Sequence, residues 1–386
     1  MDIQIVTKML KDKNFTNYQK MKYKYSQDFS VFLHTLEELY YKPLPLLDFD
    51  GHPLVFIENH AVVNQNAVKL LLQSQDQRYG LKAAEDEIVA TSAIESVDFT
   101  RDSVRKILKG MAPQDEQESR ILGIKHGLEF IADTTNKITE ENLYRLYQMT
   151  VGDFLVGGDK LADGQFYRHD TVYVISDHVE HTGLAAPKIP EYMKSLMAFI
   201  NSEDDLNDLI KAAIIHFYMG YIHPYFDGNG RMARLLHLWF LIQRDYQSTL
   251  FVPFSSQIEK SRKAYYNAYT TIEDNKKYSG KIDVTPFVLY FIKNVYNNIP
   301  NGSAAIEALA AYDNALKSGK VTKKETELWK FVLSFYGTEE FSTKQLEKDF
   351  GNAAYATISA FVLKFEELGL LSPIKYGTRT RYRLVK

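Results

Sequence analysis

His223-Pro224-Tyr225-Phe226-Asp227-Gly228-Asn229-Gly230-Arg231-Met232-Ala233-Arg234 is the run of this chain densest in chemical groups, and an almost unbroken apolar stretch, Leu235 to Ile242, follows it. A segment apolar all round, in a chain without a membrane signature, predicts a helix buried in a large core. Gly228 and Gly230 permit the backbone angles of a tight turn and let a ligand approach the main chain. A glycine-rich turn that opens a helix gathers N–H groups at the positive end of the helix dipole, an anion site best suited to phosphate. Arg231 and Arg234 lie one turn apart on one helix face, so both reach toward one polyphosphate. Asp227 would repel that anion unless a cation lies between them, and a hard carboxylate beside a phosphate cradle is where Mg²⁺ is expected. His223 takes a proton near neutral pH. A lone Gly-Asn-Gly is most often only a turn. With His, Asp, Asn and two Arg inside the same twelve residues, packing alone does not account for the set.

The chain around this stretch has 386 residues, 45% hydrophobic and 25% charged, the composition of a soluble globular protein with room for two or three domains. A net charge of −3 gives no global case for nucleic acid, and the lack of cysteine excludes disulfides and thiolate metal sites. Met1-Asp2-Ile3-Gln4 lacks the build of a signal peptide, and no apolar run is long enough to span a membrane, so a cytoplasmic location is expected. Residues 1–20 read as a loosely held polar arm, 24–41 as a helix, and Leu44 to Ile57 as Pro-rich and irregular. Helices are predicted over 64–73, 101–109, 116–134 and 140–149, the last capped by Thr139. Further helices are predicted over 190–200, over 206–220 from a start at Ser202 and Asp205 resembling a capping box, over 261–272 and over 285–296. Thr171–Ile175 and Val179–Ala186 predict a hairpin turning at 176–178. The histidines at 169, 178 and 181 lack metal-ligand spacing, and His216 reads as a packed core residue. Leu81, Ala84, Ile88, Thr91 and Glu95 follow one another at intervals of 3, 4, 3 and 4, one face of a helix. Glu95 on that buried seam needs a cationic partner. Pro300-Asn301-Gly302-Ser303 is the predicted boundary before a last unit of helices over 323–335, 342–349 and 352–368 and two strands pairing across Gly377.

The 223–234 stretch resembles the signature of the Fic (Fic/DOC, Fido) family, His-Pro-Phe-x-Asp/Glu-Gly-Asn-Gly-Arg-x-x-Arg, at every fixed position but one, where Tyr225 replaces Phe. Gly164-Gln165-Phe166-Tyr167-Arg168 is also typical of that family just before its flap. Thr91-Ser92-Ala93-Ile94-Glu95-Ser96 is similar to the family's inhibitory motif, Ser/Thr-x-x-x-Glu-Gly/Asn, with Ser96 departing from it. The resemblance implies an all-α core with a hairpin flap (about 171–186) that holds a target segment by strand addition. It places an N-terminal helical region with the inhibitory helix (about 81–96) at 1–110, the core at 111–300, and a linker and winged helix at 301–386. The implied reaction is protein adenylylation: AMP passes from Mg-ATP to a Ser, Thr or Tyr hydroxyl of a target protein, or of the chain itself. His223 would be the base and Asp227 the Mg²⁺ ligand. Gly228, Asn229, Gly230, Arg231 and Arg234 would bind the phosphates, with Tyr265 and Tyr266 beside the adenine. Glu95 would inhibit by pairing with Arg234. Removal of AMP with Glu95 positioning water is the rival within the family, and a DNA-binding regulator is the rival outside it. The wing carries Lys375, Arg379, Arg381, Arg383 and Lys386, which leaves DNA open as a partner beside a protein-contact or homodimer role.

Overall fold

The computed structural model describes residues 3–61, 63, 81–176, 179–246, 252–298, 319–336, 340–377 and 379–384. The helix expected at 64–73, the boundary at 300–303, His178 and Lys386 lie outside them. The N-terminal residues are not a loose arm. Helices α1 (Ile3–Leu10), α2 (Tyr18–Lys24) and α3 (Phe29–Thr35) close over their own cluster of Met9, Tyr18, Met21, Phe29 and Phe32. Long-range bonds fasten this cluster: Tyr18 N–H donates to Asn275 Oδ1 at 2.9 Å and its hydroxyl to Asp283 at 2.8 Å. The Pro-rich stretch is likewise ordered. It forms a hairpin of β1 (Tyr41–Leu47) and β2 (Pro53–Ile57), turned by Asp48, whose carboxylate accepts from the N–H groups of Asp50 and His52.

The main core runs without a break from Leu44 to Tyr296, so residues on both sides of position 110 share it. Its centre is a pair of helices, α9 (Asp208–Ile222) and α10 (Asn229–Gln243), packed along each other and joined by the 223–228 loop. Around them lie α4 (Leu81–Ile94), α5 (Arg101–Leu108), α6 (Glu116–Ala132), α7 (Glu140–Thr150), α8 (Ile189–Asn201), α11 (Phe254–Lys260), α12 (Arg262–Ser279) and α13 (Thr285–Tyr290). The apolar run 235–242 is buried throughout, as a helix surrounded by others must be. Thr139 caps α7 as expected, but α9 starts at Asn207, whose side chain accepts from Leu209 N–H. Ser202 instead receives the buried ammonium of Lys211, so it is not a helix start.

The flap is a two-stranded antiparallel hairpin, β3 (Tyr173–Ser176) with β4 (Val179–Thr182), in register Tyr173 opposite Thr182. Its base is tied to the 222–224 segment by main-chain bonds from Arg168 N–H to Pro224 and from Leu184 N–H to Ile222. A separate cluster holds the last unit, α14 (Lys323–Phe335), α15 (Thr343–Phe350), α16 (Tyr355–Glu367) and the ribbon β5 (Leu371–Tyr376) with β6 (Arg379–Leu384). Lys364, the one cation of α16, is spent on Glu325 at 2.8 Å. Among the described residues no helix is long and apolar enough to cross a membrane.

Candidate active site

The 223–228 loop is shaped by its own residues. His223 ends α9 in the left-handed conformation (φ 56°), and Gly228 opens α10 with φ 82°. A Cβ on Gly228 would run into Val151, so glycine is required there for space as well as for backbone angle. Asn229 is 2% exposed and spans the loop from inside: its amide donates to Tyr225 O and accepts from Tyr225 N–H, both at 2.9 Å. That amide is engaged within the loop, so its part is to shape the turn that presents N–H groups. Tyr225 stacks on Tyr147 with ring centres 3.9 Å apart, as a Phe would, and its buried hydroxyl has no hydrogen-bond partner among the described residues.

His223 Nδ1 lies 3.2 Å from the carbonyl of Gly220. A carbonyl only accepts, so Nδ1 carries the proton and Nε2 is the basic nitrogen. Asp227 is 56% exposed at the mouth of the loop and pairs with Arg231 at 3.0 Å. Arg231 and Arg234 do share a helix face but divide their labour. Arg231 turns back to Asp227, while Arg234 turns across to α4. There its Nε donates to Thr91 Oγ1 at 2.7 Å and its Nη2 to Thr91 O at 3.1 Å and to Glu95 at 2.7 Å. Two buried donors, Arg234 Nη1 and Arg231 Nε, have no hydrogen-bond partner among the described residues.

Glu95 sits just past the end of α4, with its carboxylate against Gly230: a Cβ there would collide with Glu95 Oε1. The carboxylate therefore lies at the N-terminus of α10, where an anion is favoured. Burial pushes its pKa up, but Arg234, with Arg231 and Arg262 beyond it, outweighs burial and holds the carboxyl below the usual glutamate range. Burial alone would lower the pKa of Arg234, and Glu95 reverses it.

Sequence reasoning placed Glu95 and Arg234 but missed two supports. Thr91, one turn before Glu95, addresses the same guanidinium, which the spacing within the Thr91-x-x-x-Glu95 motif itself signals. Arg262 at the start of α12 donates to Ala93 O and to Ser96 Oγ, both at 3.2 Å, holding the end of α4 in place. Ser96 has φ 60°, which accounts for the Gly/Asn preference at that position. Tyr265 is 4% exposed, with its hydroxyl 2.9 Å from His216 Nε2, and packs in an aromatic core around Phe287. Tyr266 is 37% exposed with Arg262 over its ring, and it stays beside the site. His216 is fully buried, and burial holds it uncharged. His169 is exposed, and the side chains of 178 and 181 lie outside the described set.

Residues 137–241 match the Fic/DOC family. Protein adenylyltransferase fic-1 of Caenorhabditis elegans is 26% identical over 255 residues, covering 62% of this chain and 45% of that protein. Protein adenylyltransferase Fic of Drosophila erecta is 25% identical over 279 residues, 66% of this chain and 52% of that one. The chain thus spans about half the length of the curated relatives it matches. Among solved structures, a Fic family protein from Desulfovibrio desulfuricans G20 is similar at 18% identity and a TM-score of 0.48, over 84% of this chain and 97% of that one. A Fic-domain signalling protein from Bacteroides thetaiotaomicron VPI-5482 is similar at 19% identity and a TM-score of 0.49, over 64% and 94%. The match over residues 137–241 takes in the 223–234 loop, α9 and nearly all of α10, so this stretch of the chain is similar to the Fic/DOC family.

Proposed function

We propose that this protein transfers AMP from ATP to a Ser, Thr or Tyr hydroxyl of a target protein and of itself, and that Glu95 inhibits the transfer. The observation that carries this reading is the anion site at the start of α10, which the chain fills with its own carboxylate. Glu95 rests against Gly230, beside two arginines that each keep a buried donor without a hydrogen-bond partner. A carboxylate held there stands in for a phosphate oxygen. The similarity to protein adenylyltransferases supports the choice of adenylyl transfer among phosphate chemistries.

The residues then take the following parts. The N–H groups at the start of α10 and Arg231 bind the phosphates, and Arg234 joins them once Glu95 leaves. The hydroxyl oxygen of the target attacks the α-phosphorus and the bond from that phosphorus to the bridging oxygen breaks. Pyrophosphate leaves, and the hydroxyl proton passes to His223 Nε2. Asp227 is the one acidic side chain of the loop, and exposed; a single hard carboxylate oxygen suits Mg²⁺, which keeps waters and takes its remaining ligands from phosphates. Bound there, Mg²⁺ would offset phosphate charge. The flap presents the target as an added strand with little demand on its sequence. We take 301–386 as a separate module. With Lys364 already paired, protein contact suits it better than DNA. A cytoplasmic location fits these substrates.

The test is incubation with ATP labelled in the α-phosphate, with and without lysate proteins, for the wild type and His223→Ala. Label should enter protein and fall by roughly 10²–10⁴-fold in His223→Ala, with Mg-ATP binding retained. Incorporation unchanged in His223→Ala would remove His223 as base. Release of AMP from an already modified protein, without incorporation, would replace the reading with the reverse reaction.

A further inference from the structure

We propose that Arg168 is a positioning residue that clamps the base of the flap to the His223 loop, setting the catalytic imidazole against the hydroxyl that the flap presents. This rests on the reading above of His223 as base. Arg168 is 2% exposed, and its guanidinium reaches three main-chain carbonyls on three segments. Nε donates to His223 O at 2.7 Å, Nη2 to Leu184 O at 2.5 Å, and Nη1 to Asp170 O. Asp170 and Leu184 flank the two flap strands at their base, and His223 is the base itself. A planar fork with five N–H donors in fixed directions serves three acceptors at once, which a lysine ammonium on a flexible stem does not reproduce.

Gly183 gives an independent sign that the fit is built. A Cβ there would lie 2.7 Å from Arg168 Nη2 and 3.2 Å from His223 Cβ, so the residue beside the guanidinium must be bare. The backbone of His223 also needs holding. Its left-handed conformation is one that a residue with a Cβ adopts only under strain. The bonds from Arg168 to His223 O and from His223 Nδ1–H to Gly220 O fix both the peptide and the ring. The clamp therefore governs where Nε2 points relative to a strand added to the flap.

The test uses Arg168→Lys and Gly183→Ala in the 386-residue chain, alone and with Glu95→Gly. Self-incorporation of labelled AMP, the dissociation constant for Mg-ATP and the ¹⁵N NMR titration of the histidine rings are measured, with His223→Gln assigning the signal. Each variant should lose roughly 10–100-fold in turnover, the scale of an ångström-sized misplacement. Mg-ATP binding should stay within about twofold, because the clamp touches no nucleotide contact. The His223 signal should change from a single Nδ1–H tautomer to a mixture with an altered titration. If Arg168→Lys does not fold, Gly183→Ala carries the test by pushing the same guanidinium aside. A folded variant with turnover within about threefold of its parent and an unaltered His223 signal would overturn the clamp. If the parent transfers no AMP, the proposed reaction falls, and the His223 signal alone decides the clamp.

Discussion

Glu95→Gly removes the carboxylate that fills the anion site. The substitution breaks the 2.7 Å bond from Arg234 Nη2, but leaves Arg234 its two bonds to Thr91. A hydrogen bond to a charged partner contributes about 1.5–3 kcal/mol. Glu95 is 31% exposed, so water replaces part of this, and the loss in the empty protein should be about 1–2 kcal/mol. Chains of 150–250 residues move by about 2–4 °C per kcal/mol and longer ones by less, so Tm should fall by a few degrees. Mg-ATP supplies a new anion and should stabilise the variant more than the wild type. Removing a competitor of that strength should raise AMP incorporation roughly 5–30-fold. The pH dependence has a definite sign. The folded-state pKa of Glu95 is lowered, because Arg234 outweighs burial. Its stabilisation is therefore present above the ordinary glutamate range, about 4.3, and is lost as pH falls through the lowered value. The Tm gap between wild type and Glu95→Gly should be full at neutral pH and close under strong acid. The assay pairs labelled-AMP incorporation with thermal midpoints, with and without Mg-ATP, across pH. Unchanged or lower incorporation in a folded Glu95→Gly protein would refute inhibition by this contact.

Tyr225→Phe removes a buried hydroxyl without a hydrogen-bond partner and keeps the stack on Tyr147, so denaturant unfolding should show a gain of about 1–2 kcal/mol. Gly230→Ala forces a methyl group onto the Glu95 carboxylate and should destabilise by about 1–3 kcal/mol in the wild type and much less in Glu95→Gly, a coupling that a double-mutant cycle measures. Replacing Arg379, Arg381 and Arg383 together by Ala should leave self-modification unchanged within about twofold, since the ribbon belongs to a separate hydrophobic cluster; a several-fold loss in a folded variant would contradict the modular reading.

The helix pair and its loop were legible because their determinants are local. The glycines, the apolar run and the arginine spacing all act within one turn or one helix. Glu95 was legible for the same reason, as a carboxylate out of place on an apolar seam. What escaped depends on partners far away in sequence. Residues 1–20 read as an arm because Tyr18 shows no sign of Asn275 and Asp283. The 44–57 stretch read as irregular because its prolines hide a hairpin that also bonds to Ile282 and Val284. Tyr265 and Tyr266 looked equivalent side by side, yet a helix turns successive residues about 100° apart, which sends one into the core and leaves the other at the rim.

The carboxylate that rests against Gly230 is part of the same chain as the site it fills. Its local concentration is set by the anchoring of α4, through Thr91 and Arg262, and does not fall on dilution. On the proposed reading, a free nucleotide entering this site would compete at its cellular concentration against a tethered rival. Raising ATP would then be a weak lever on such a site. Loosening the end of α4 is a strong one, because it lowers the effective molarity of the rival without touching a single nucleotide contact.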